Sequence, residues 1–275
     1  MHVSGSTVLI TGATGGLGRT LARAFASRGA ELLLTGRRAE PLRKLADSVG
    51  GRAIVADLND REDLARLAEE AAGVDILIAN AAQSSSGPVL ASPLADIDRS
   101  LEVNLRAPIA LARMLGPGMV EARRGHIVLV GSLSGRTASP GAALYNATKF
   151  GLRGFAHALR QELHGSGVGV SIVQPGFVRD VGMFADSGAT LPPGVRTVSP
   201  GQVAAATIRA VERDRGEVTI APLELRLSGV IGGLFPGVAG AVQRRVGART
   251  MREMAEARRS GDGEGSTADR GSGAD

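Results

Sequence analysis

Seven short apolar runs alternate along the chain with amphipathic stretches of helical period, and this alternation limits the fold more than any other feature. Nearly continuous apolar runs are typical of strands buried on both faces of a parallel sheet. Strands are predicted at Thr7–Thr11, Glu31–Thr35, Arg52–Ala56, Asp75–Ala79, His126–Val130, Gly169–Val173 and Glu217–Ile220. Helices are predicted near 17–28, 40–48, 60–72, 93–115, 142–164 and 200–214. We therefore predict an α/β fold, a doubly wound seven-stranded parallel sheet with helices on both faces.

The alternation ends near Pro222, so we expect one domain over 1–222, an apolar and basic helical extension over 223–259, and a disordered tail over 260–275. Ser228 to Gln243 carries no charge, and arginines follow at 244, 245 and 249. This stretch is too short and too rich in glycine for a transmembrane helix. Peripheral membrane contact through 228–249, a cover over a substrate pocket and packing on a partner subunit all remain open.

Composition excludes several classes of function. The chain has no cysteine, which excludes disulfides and thiolate chemistry, and its four histidines lack metal-ligand spacing, so no metal site is predicted. The net charge of +5 comes from scattered arginines, and aromatic residues make up only 3%, so nucleic acid is not an expected partner. A strand pattern begins within a few residues of Met1, which leaves no room for a signal peptide and predicts a cytoplasmic protein.

A glycine-rich turn joins the first strand to the first helix. The turn reads Thr11-Gly12-Ala13-Thr14-Gly15-Gly16-Leu17-Gly18. Glycines at this position permit a tight turn and let the backbone approach a pyrophosphate at a helix N-terminus. We therefore predict a Rossmann-type dinucleotide site, with cofactor contacts from Gly12, Thr14, Gly16, Leu17 and Gly18.

The residues after the second and third strands indicate which dinucleotide is bound. A chain that binds NAD usually has an acid after the second strand to hold the ribose hydroxyls. Here Gly36 is followed by Arg37 and Arg38, which suit a 2′-phosphate and predict NADP(H) in preference to NAD(H). Asp57, with Leu58 beside it, is predicted to accept a hydrogen bond from the adenine amino group; the alternative for Asp57 is a helix cap.

Tyr145 is the only tyrosine, and it stands four residues before Lys149, one of only two lysines among 32 basic residues. On a helix this spacing places both side chains on one face. A neighbouring ammonium favours phenolate, so the pair predicts a phenol of lowered pKa that exchanges protons near neutrality. The alternative is a core tyrosine beside a surface lysine.

With these motifs in order, the chain from about 5 to 222 resembles a classical short-chain dehydrogenase/reductase. The glycine turn matches the TGxxxGxG motif of that family, and Asn80-Ala81-Ala82 resembles its NAG motif, with alanine replacing the glycine. Asn104 matches a helix asparagine, Ser132 precedes Tyr145 by thirteen residues, as in the family, and Pro175-Gly176 follows the sixth strand.

The resemblance implies a role for each matching residue. Tyr145 would be the general acid or base, Lys149 would lower its pKa and bind the nicotinamide ribose, and Ser132 would polarise the substrate carbonyl. Asn104 would hold a water that links Lys149 to solvent. Tyr145 and Lys149 thus belong to both the catalytic set and the cofactor site. The other cofactor contacts that the resemblance implies are Asn80, Ala81, Pro175, Gly176 and Val178. A homodimer or homotetramer is expected from the family habit.

Two features weigh against a simple transfer of function. Asp180 stands where the family has a threonine that binds the nicotinamide carboxamide, and a carboxylate cannot donate a hydrogen bond. Gly12, Gly15 and Gly18 also fit the TGxxGxxG motif of nucleotide-sugar epimerases.

The expected function is reduction of a carbonyl, or oxidation of a secondary alcohol, of an apolar small molecule. The alternatives are a nucleotide-binding or nucleotide-sensing protein without catalysis, and an epimerase.

Overall fold

A seven-stranded sheet forms the centre of the protein. The computed structural model describes residues 1–85, 87–181, 196–235, 237, 240 and 241. The strands are β1 (Thr7–Ile10), β2 (Glu31–Gly36), β3 (Arg52–Val55), β4 (Ile76–Ala79), β5 (Gly125–Val130), β6 (Val168–Pro175) and β7 (Glu217–Ile220). Every neighbouring pair is parallel, and the order is β3-β2-β1-β4-β5-β6-β7. The predicted sheet is confirmed. The strand order changes direction between β1 and β4, because β2 and β3 are added on one side of β1 and β4 to β7 on the other, and such folds bind their ligands at this switch point.

Helices cover both faces of the sheet. They are α1 (Gly16–Ala26), α2 (Ala39–Val49), α3 (Arg61–Glu70), α4 (Leu94–Leu101), α5 (Ala107–Glu121), α6 (Ala143–Glu162), α7 (Pro200–Glu212) and α8 (Leu223–Leu234). One apolar core packs α1, α2 and α7 on the sheet, and a second packs α3, α5 and α6 on the opposite face. The strands supply both cores because successive side chains point to opposite faces, as with Ile10 in the first core and Leu9 in the second.

The predicted single helix over 93–115 is wrong. The structure has α4, then a π-helical turn over Glu102–Arg106, then α5, which continues to Glu121 with Pro117 inside it. Packing of Leu111, Leu115 and Met119 in the second core holds this longer helix, because burial of an apolar face outweighs local propensity. The π turn contains Asn104, and such turns occur often at functional sites.

The segment after β7 begins with α8, which takes no part in the sheet. A helix thus begins where the extension is predicted to begin, and the division into domain, extension and tail stays a prediction. Residues 242–259 of the extension and the predicted tail over 260–275 lie outside the described residues. Within the described part of the chain, every helix is too short or too polar to cross a bilayer.

Candidate active site and cofactor site

The turn after β1 needs glycine at two positions, because any side chain there would clash with neighbouring backbone. Gly12 has a φ of +64°, and a Cβ there would lie 2.7 Å from the Cα of Ala81. A Cβ on Gly18 would collide with the carbonyl oxygen of Gly12. The backbone of α1 thus approaches the end of β1 more closely than any side chain would allow, as the dinucleotide turn requires.

The N-terminus of α1 is open to an anion. Gly15 is its N-cap, no side chain caps it, and its first turn has no acidic residue. The free N–H groups and the helix dipole of such an end favour a phosphate group. Gly16 faces Val181, whose side chain would clash with a Cβ there. The uncapped end of the helix therefore fits the pyrophosphate of a dinucleotide, and Val181, from the segment after β6, packs against Gly16 in this structure.

Arg37 and Arg38 lie exposed at the end of β2, next to this turn. Arg38 is the N-cap of α2 and donates to the carbonyl of Thr14 at 3.5 Å. Arg19, from α1, donates to the same carbonyl at 3.1 Å. The guanidinium groups of Arg38 and Arg19 thus meet at the Thr14 carbonyl, and Arg37 directly precedes Arg38 in the chain. Sequence analysis missed Arg19. This concentration of positive charge suits a 2′-phosphate.

Asp57 lies after β3, but it does not cap α3. That cap is Asp60, whose carboxylate accepts from the N–H groups of Glu62 and Asp63. The cap interpretation of Asp57 is wrong because α3 begins at Arg61, and an N-cap must directly precede the first helical residue. One oxygen of Asp57 accepts from the N–H of Asn59 at 3.0 Å, and Leu58 beside it is buried. Adenine recognition by this pair stays a prediction.

Asn80 and Ala81 join the end of β4 to the glycine turn. Both donate their N–H groups to the hydroxyl of Thr11 at 3.0 Å. The Asn80 amide donates to the carbonyl of Thr11 at 2.9 Å and to that of Gly12 at 3.3 Å. These bonds join the ends of β1 and β4, where the strand order changes direction, so Asn80 shapes the turn through backbone groups.

Tyr145 and Lys149 lie together in the first half of α6, as their spacing predicts. The Lys149 Nζ is 5.6 Å from the centre of the Tyr145 ring and donates to the carbonyl of Val130 at 2.9 Å. Burial lowers the pKa of Lys149 to about 8 and raises the pKa of Tyr145 to about 12. The predicted lowering of the phenol pKa is wrong for this structure, because desolvation outweighs the attraction of the ammonium. The phenol therefore keeps its proton at neutral pH, the form in which a general acid works.

Ser132 follows β5 and contacts the phenol. A hydrogen bond between the Ser132 and Tyr145 side chains favours phenolate and partly opposes the effect of burial. The Ser132 hydroxyl also accepts the N–H of Ser134 at 3.1 Å, which starts a short 3-10 turn over Leu133–Gly135. The structure thus brings together the phenol, the hydroxyl and the ammonium at the carboxyl edge of the sheet.

Asn104 lies buried in the π turn, and its amide holds the loop after β4. Its oxygen accepts the N–H of Gln83 at 2.6 Å, and its nitrogen donates to the carbonyl of Gln83 at 2.9 Å and to the hydroxyl of Ser100 at 3.3 Å. The side chain therefore shapes the strand end that carries Asn80 and Ala81. Its relay role through a water stays a prediction.

Sequence analysis missed Asn146, the neighbour of Tyr145. Its amide oxygen accepts the N–H of Ser139 at 3.1 Å, and its nitrogen donates to the carbonyls of Ser134 at 2.7 Å and Thr137 at 3.0 Å. Asn146 thus ties the loop that begins at Ser132 to the helix that carries Tyr145. No motif marks this role, since an asparagine on a helix surface gives the same sequence signal.

A second tie to this loop is Glu217, at the start of β7. Its carboxylate contacts Arg136 at 2.5 Å, Arg153 at 3.2 Å and His157 at 2.6 Å. Burial opposes the charged form, yet hydrogen bonds and nearby arginines hold the pKa of Glu217 below its ordinary value. Residues from three separate parts of the chain meet here, so only the folded chain reveals this cluster.

The segment after β6 carries the remaining predicted cofactor contacts. Pro175 ends β6, Gly176 donates its N–H to the carbonyl of Ile220 at 2.9 Å, and Val178 forms a bridge with Val198. Asp180 has a φ of +67° and lies 3.6 Å from Arg179 across an exposed ion pair. The arginine partly neutralises the carboxylate that replaces the family threonine.

A small cleft opens beside Leu144, next to Tyr145, with a volume of about 170 Å³. Its walls include the polar side chains of Gln83, Ser84, Ser85, Ser92 and Asp96. The sequence predicts small and apolar substrate-pocket residues in Ser84–Pro93, Ser134–Leu144 and Val181–Val198. Of these segments, Ser86 and residues 182–195 lie outside the described residues. The described wall is more polar than the predicted apolar pocket.

Several known proteins are similar in sequence to this chain. A family model described as short chain dehydrogenase matches residues 6–191. The ketoacyl reductase HetN of Nostoc sp. (strain PCC 7120) is 35% identical over 227 residues, which are 79% of each chain. The NADP-dependent 3-hydroxy acid dehydrogenase YdfG of Escherichia coli K12 is 36% identical over 178 residues, 62% of this chain and 72% of that one.

Solved structures agree with these relatives. A short-chain dehydrogenase from Sphingobium yanoikuyae in complex with NADPH superposes with a TM-score of 0.73 at 30% identity, covering 84% of this chain and 95% of that one. The family match, the parallel sheet and the shared sequence identity lead to one conclusion. The chain belongs to the short-chain dehydrogenase/reductase family of oxidoreductases.

Proposed function

We propose that the protein is an NADP(H)-dependent oxidoreductase that transfers hydride between the nicotinamide and a carbonyl or secondary alcohol. The observation that carries this proposal is the meeting of Tyr145, Lys149 and Ser132 at the carboxyl edge of the sheet, beside a glycine turn that fits a pyrophosphate. The cofactor, when bound, supplies or accepts the hydride.

In the direction of reduction, the protonated Tyr145 donates its proton to the carbonyl oxygen as hydride reaches the carbon. Ser132 donates a hydrogen bond to the same oxygen and stabilises the charge that develops on it. The Lys149 ammonium lies close enough to stabilise the phenolate that remains. In the direction of oxidation the phenolate must form first, and the raised pKa of Tyr145 makes this costly at neutral pH.

Preference for NADP(H) rests on Arg37 and Arg38 beside the turn, and it agrees with the NADP named for YdfG and the NADPH in the Sphingobium structure. Titration with NADPH and with NADH, followed by cofactor fluorescence, tests it. We expect at least about tenfold tighter binding of NADPH, about 1.4 kcal/mol. Arg37→Ser should reduce that ratio, whereas Arg43→Ser, an exposed arginine further along α2, should leave it unchanged. Preference for NADH would refute the assignment.

Substitution of the phenol separates catalysis from binding. Tyr145→Phe should lower kcat by at least about 100-fold, since it removes the proton donor, while NADPH binding persists. Full turnover by this variant would refute the mechanism.

The substrate panel should begin with ketoacyl compounds and 3-hydroxy acids, the classes named for HetN and YdfG, and extend to apolar ketones.

A nucleotide-binding protein without catalysis is the second candidate, favoured by Asp180 in its left-handed conformation at the position of the family threonine. Tight NADPH binding with no turnover across the panel, and no recovery of turnover in Asp180→Thr, would support it.

Assembly as a homodimer or homotetramer is proposed from the family habit, and sedimentation equilibrium would test it.

A further inference from the structure

The cleft beside Leu144 is lined mostly by side chains that form hydrogen bonds. Its volume of about 170 Å³ is below the roughly 300 Å³ at which pockets for whole ligands begin, so it is one subsite. The N–H of Gly87, on its wall, donates to the carbonyl of Gly141 at 2.7 Å, which ties the wall to the turn before α6. Since Leu144 directly precedes Tyr145 on that helix, the cleft lies beside the proposed acid.

Ser85 presents a hydroxyl proton to this cleft. The Asn104 nitrogen donates to the carbonyl of Gln83 and to the Ser100 hydroxyl, so the Ser100 oxygen is the acceptor in that bond. Ser100 is only 1% exposed, and a buried hydroxyl proton needs an acceptor within the protein. The Ser85 hydroxyl contacts the Ser100 hydroxyl and is that acceptor. Ser85, which lines the cleft, therefore keeps its own proton for a ligand there.

Asp96, in the first turn of α4, adds a carboxylate to the wall of the cleft. Its partner Arg99 is 3.8 Å away and both side chains are about half exposed, so the pair is weak and the carboxylate can still accept from a ligand. Among the described residues that line the cleft, Asp96 is the single charged one. The wall thus offers Ser85 as a donor and Asp96 as an acceptor, and it offers no cation.

A free hydroxyl group on the substrate matches both wall groups, because it accepts one hydrogen bond and donates another. A carboxylate can only accept and would meet the like charge of Asp96, whereas an ammonium can only donate and would meet the Ser85 proton. An alkyl group would leave both wall groups without partners, which is costly once water is excluded.

We propose that the cleft selects substrates that carry a free hydroxyl near the reacting group, namely neutral hydroxylated ketones and the polyols formed from them. Ser85 donates to that hydroxyl and Asp96 accepts from it. Ser100 is a positioning residue, because it directs the Ser85 proton into the cleft. The proposal names a substrate class for the proposed reaction and rests on that proposed function.

Steady-state rates with NADPH and a matched series of methyl ketones test the proposal. At each of several chain lengths, the members differ only in the end group, which is hydroxyl, methyl, ammonium or carboxylate. We expect kcat/KM of the hydroxyl member to exceed that of the methyl member at least about tenfold, since only the hydroxyl pairs both wall groups. Ser85→Ala and Ser100→Ala should each bring that ratio closer to one. Asp96→Asn should raise kcat/KM of the carboxylate member about threefold or more, because it removes the like charge.

Asp98→Asn is the matched control. Asp98 is exposed on α4, two residues from Asp96 and therefore on another side of the helix. This variant should leave every ratio unchanged. Ratios of kcat/KM measured on one variant do not depend on how much of it is folded, so a loss of stability cannot imitate the expected result.

Equal kcat/KM for the hydroxyl and methyl members, or a preference for the ammonium or carboxylate member, overturns the substrate class while the proposed reaction stands. So does turnover of other ketones with none from this series, and so does a ratio that Ser85→Ala leaves unchanged. Absence of turnover with every ketone, while NADPH binds, refutes the proposed reaction and the substrate class together.

Discussion

Replacement of Asn146 should loosen the active-site loop and lower the stability of the protein. The amide makes three hydrogen bonds to the backbone of residues 134–139, and its side chain is almost fully buried. Asn146→Ala leaves one N–H and two carbonyls without these partners. At about 1 kcal/mol for each net hydrogen bond, the free energy of unfolding should fall by about 3 kcal/mol.

Asn146→Asp provides a sharper test than alanine. A carboxylate can still accept the N–H of Ser139, but it has no donor for the carbonyls of Ser134 and Thr137 and places negative charge against them. We therefore expect Asn146→Asp to lose at least as much stability as Asn146→Ala. Loosening the loop that carries Ser132 should also lower kcat more than it weakens NADPH binding.

Urea denaturation of the two variants and the unaltered protein measures the difference. Asn59→Ala is the control, because Asn59 is exposed and such a change usually alters stability by less than about 0.5 kcal/mol. An Asn146→Ala variant as stable as Asn59→Ala, or an Asn146→Asp variant more stable than Asn146→Ala, would refute the argument.

Three further predictions concern buried groups and one glycine. Burial depresses the pKa of Lys149 to about 8, so the unfolded chain binds more protons above this pH, and stability should rise by about 2 kcal/mol between pH 8 and 10. Urea denaturation of Lys149→Met across this range should show a smaller rise in the free energy of unfolding. A rise equal to that of the unaltered protein would mean that Lys149 is not the group whose pKa is depressed by folding. The buried amide of Gln174 has no hydrogen-bond partner among the described residues. Gln174→Met should therefore raise the free energy of unfolding by about 1 kcal/mol, measured by urea denaturation. A lower free energy of unfolding would mean that the amide does form hydrogen bonds in the folded protein. Gly18→Ala should abolish NADPH binding, because the added Cβ would collide with the Gly12 carbonyl. Gly154→Ala on α6 is the control: no atom lies within 4 Å of its added Cβ, so this variant should bind NADPH normally and be at least as stable as the unaltered protein. Equal NADPH binding by the two variants would contradict the predicted clash.

Alcohol oxidation and ketone reduction should respond oppositely to pH. Burial raises the pKa of Tyr145 to about 12, so phenolate, the base for oxidation, becomes more abundant as the pH rises. Initial rates with saturating cofactor should therefore increase for oxidation between pH 7 and 10 and should not increase for reduction. A maximum for oxidation below pH 7 would exclude Tyr145 as the base.

Local patterns predicted the seven strands, the glycine turn and the α6 pair, because each depends on residues close together in sequence. Apolar runs become buried strands, and a glycine turn between a strand and a helix has few alternative conformations. The break of the predicted helix over 93–115 could not be foreseen, because it depends on packing in the second core and on the bonds of Asn104 to Gln83.

The sequence by itself determined the fold class and the family, and it predicted the candidate catalytic and cofactor residues. Only the tertiary structure decided the sign of the pKa shift on Tyr145, since burial depends on what packs around the ring and the sequence shows only the nearby lysine. It also brought Asn146 and Glu217 to the Ser132 loop and turned the apolar side of α8 outward. These features depend on how separate elements pack against one another, and a pattern of residues within one element does not show that packing.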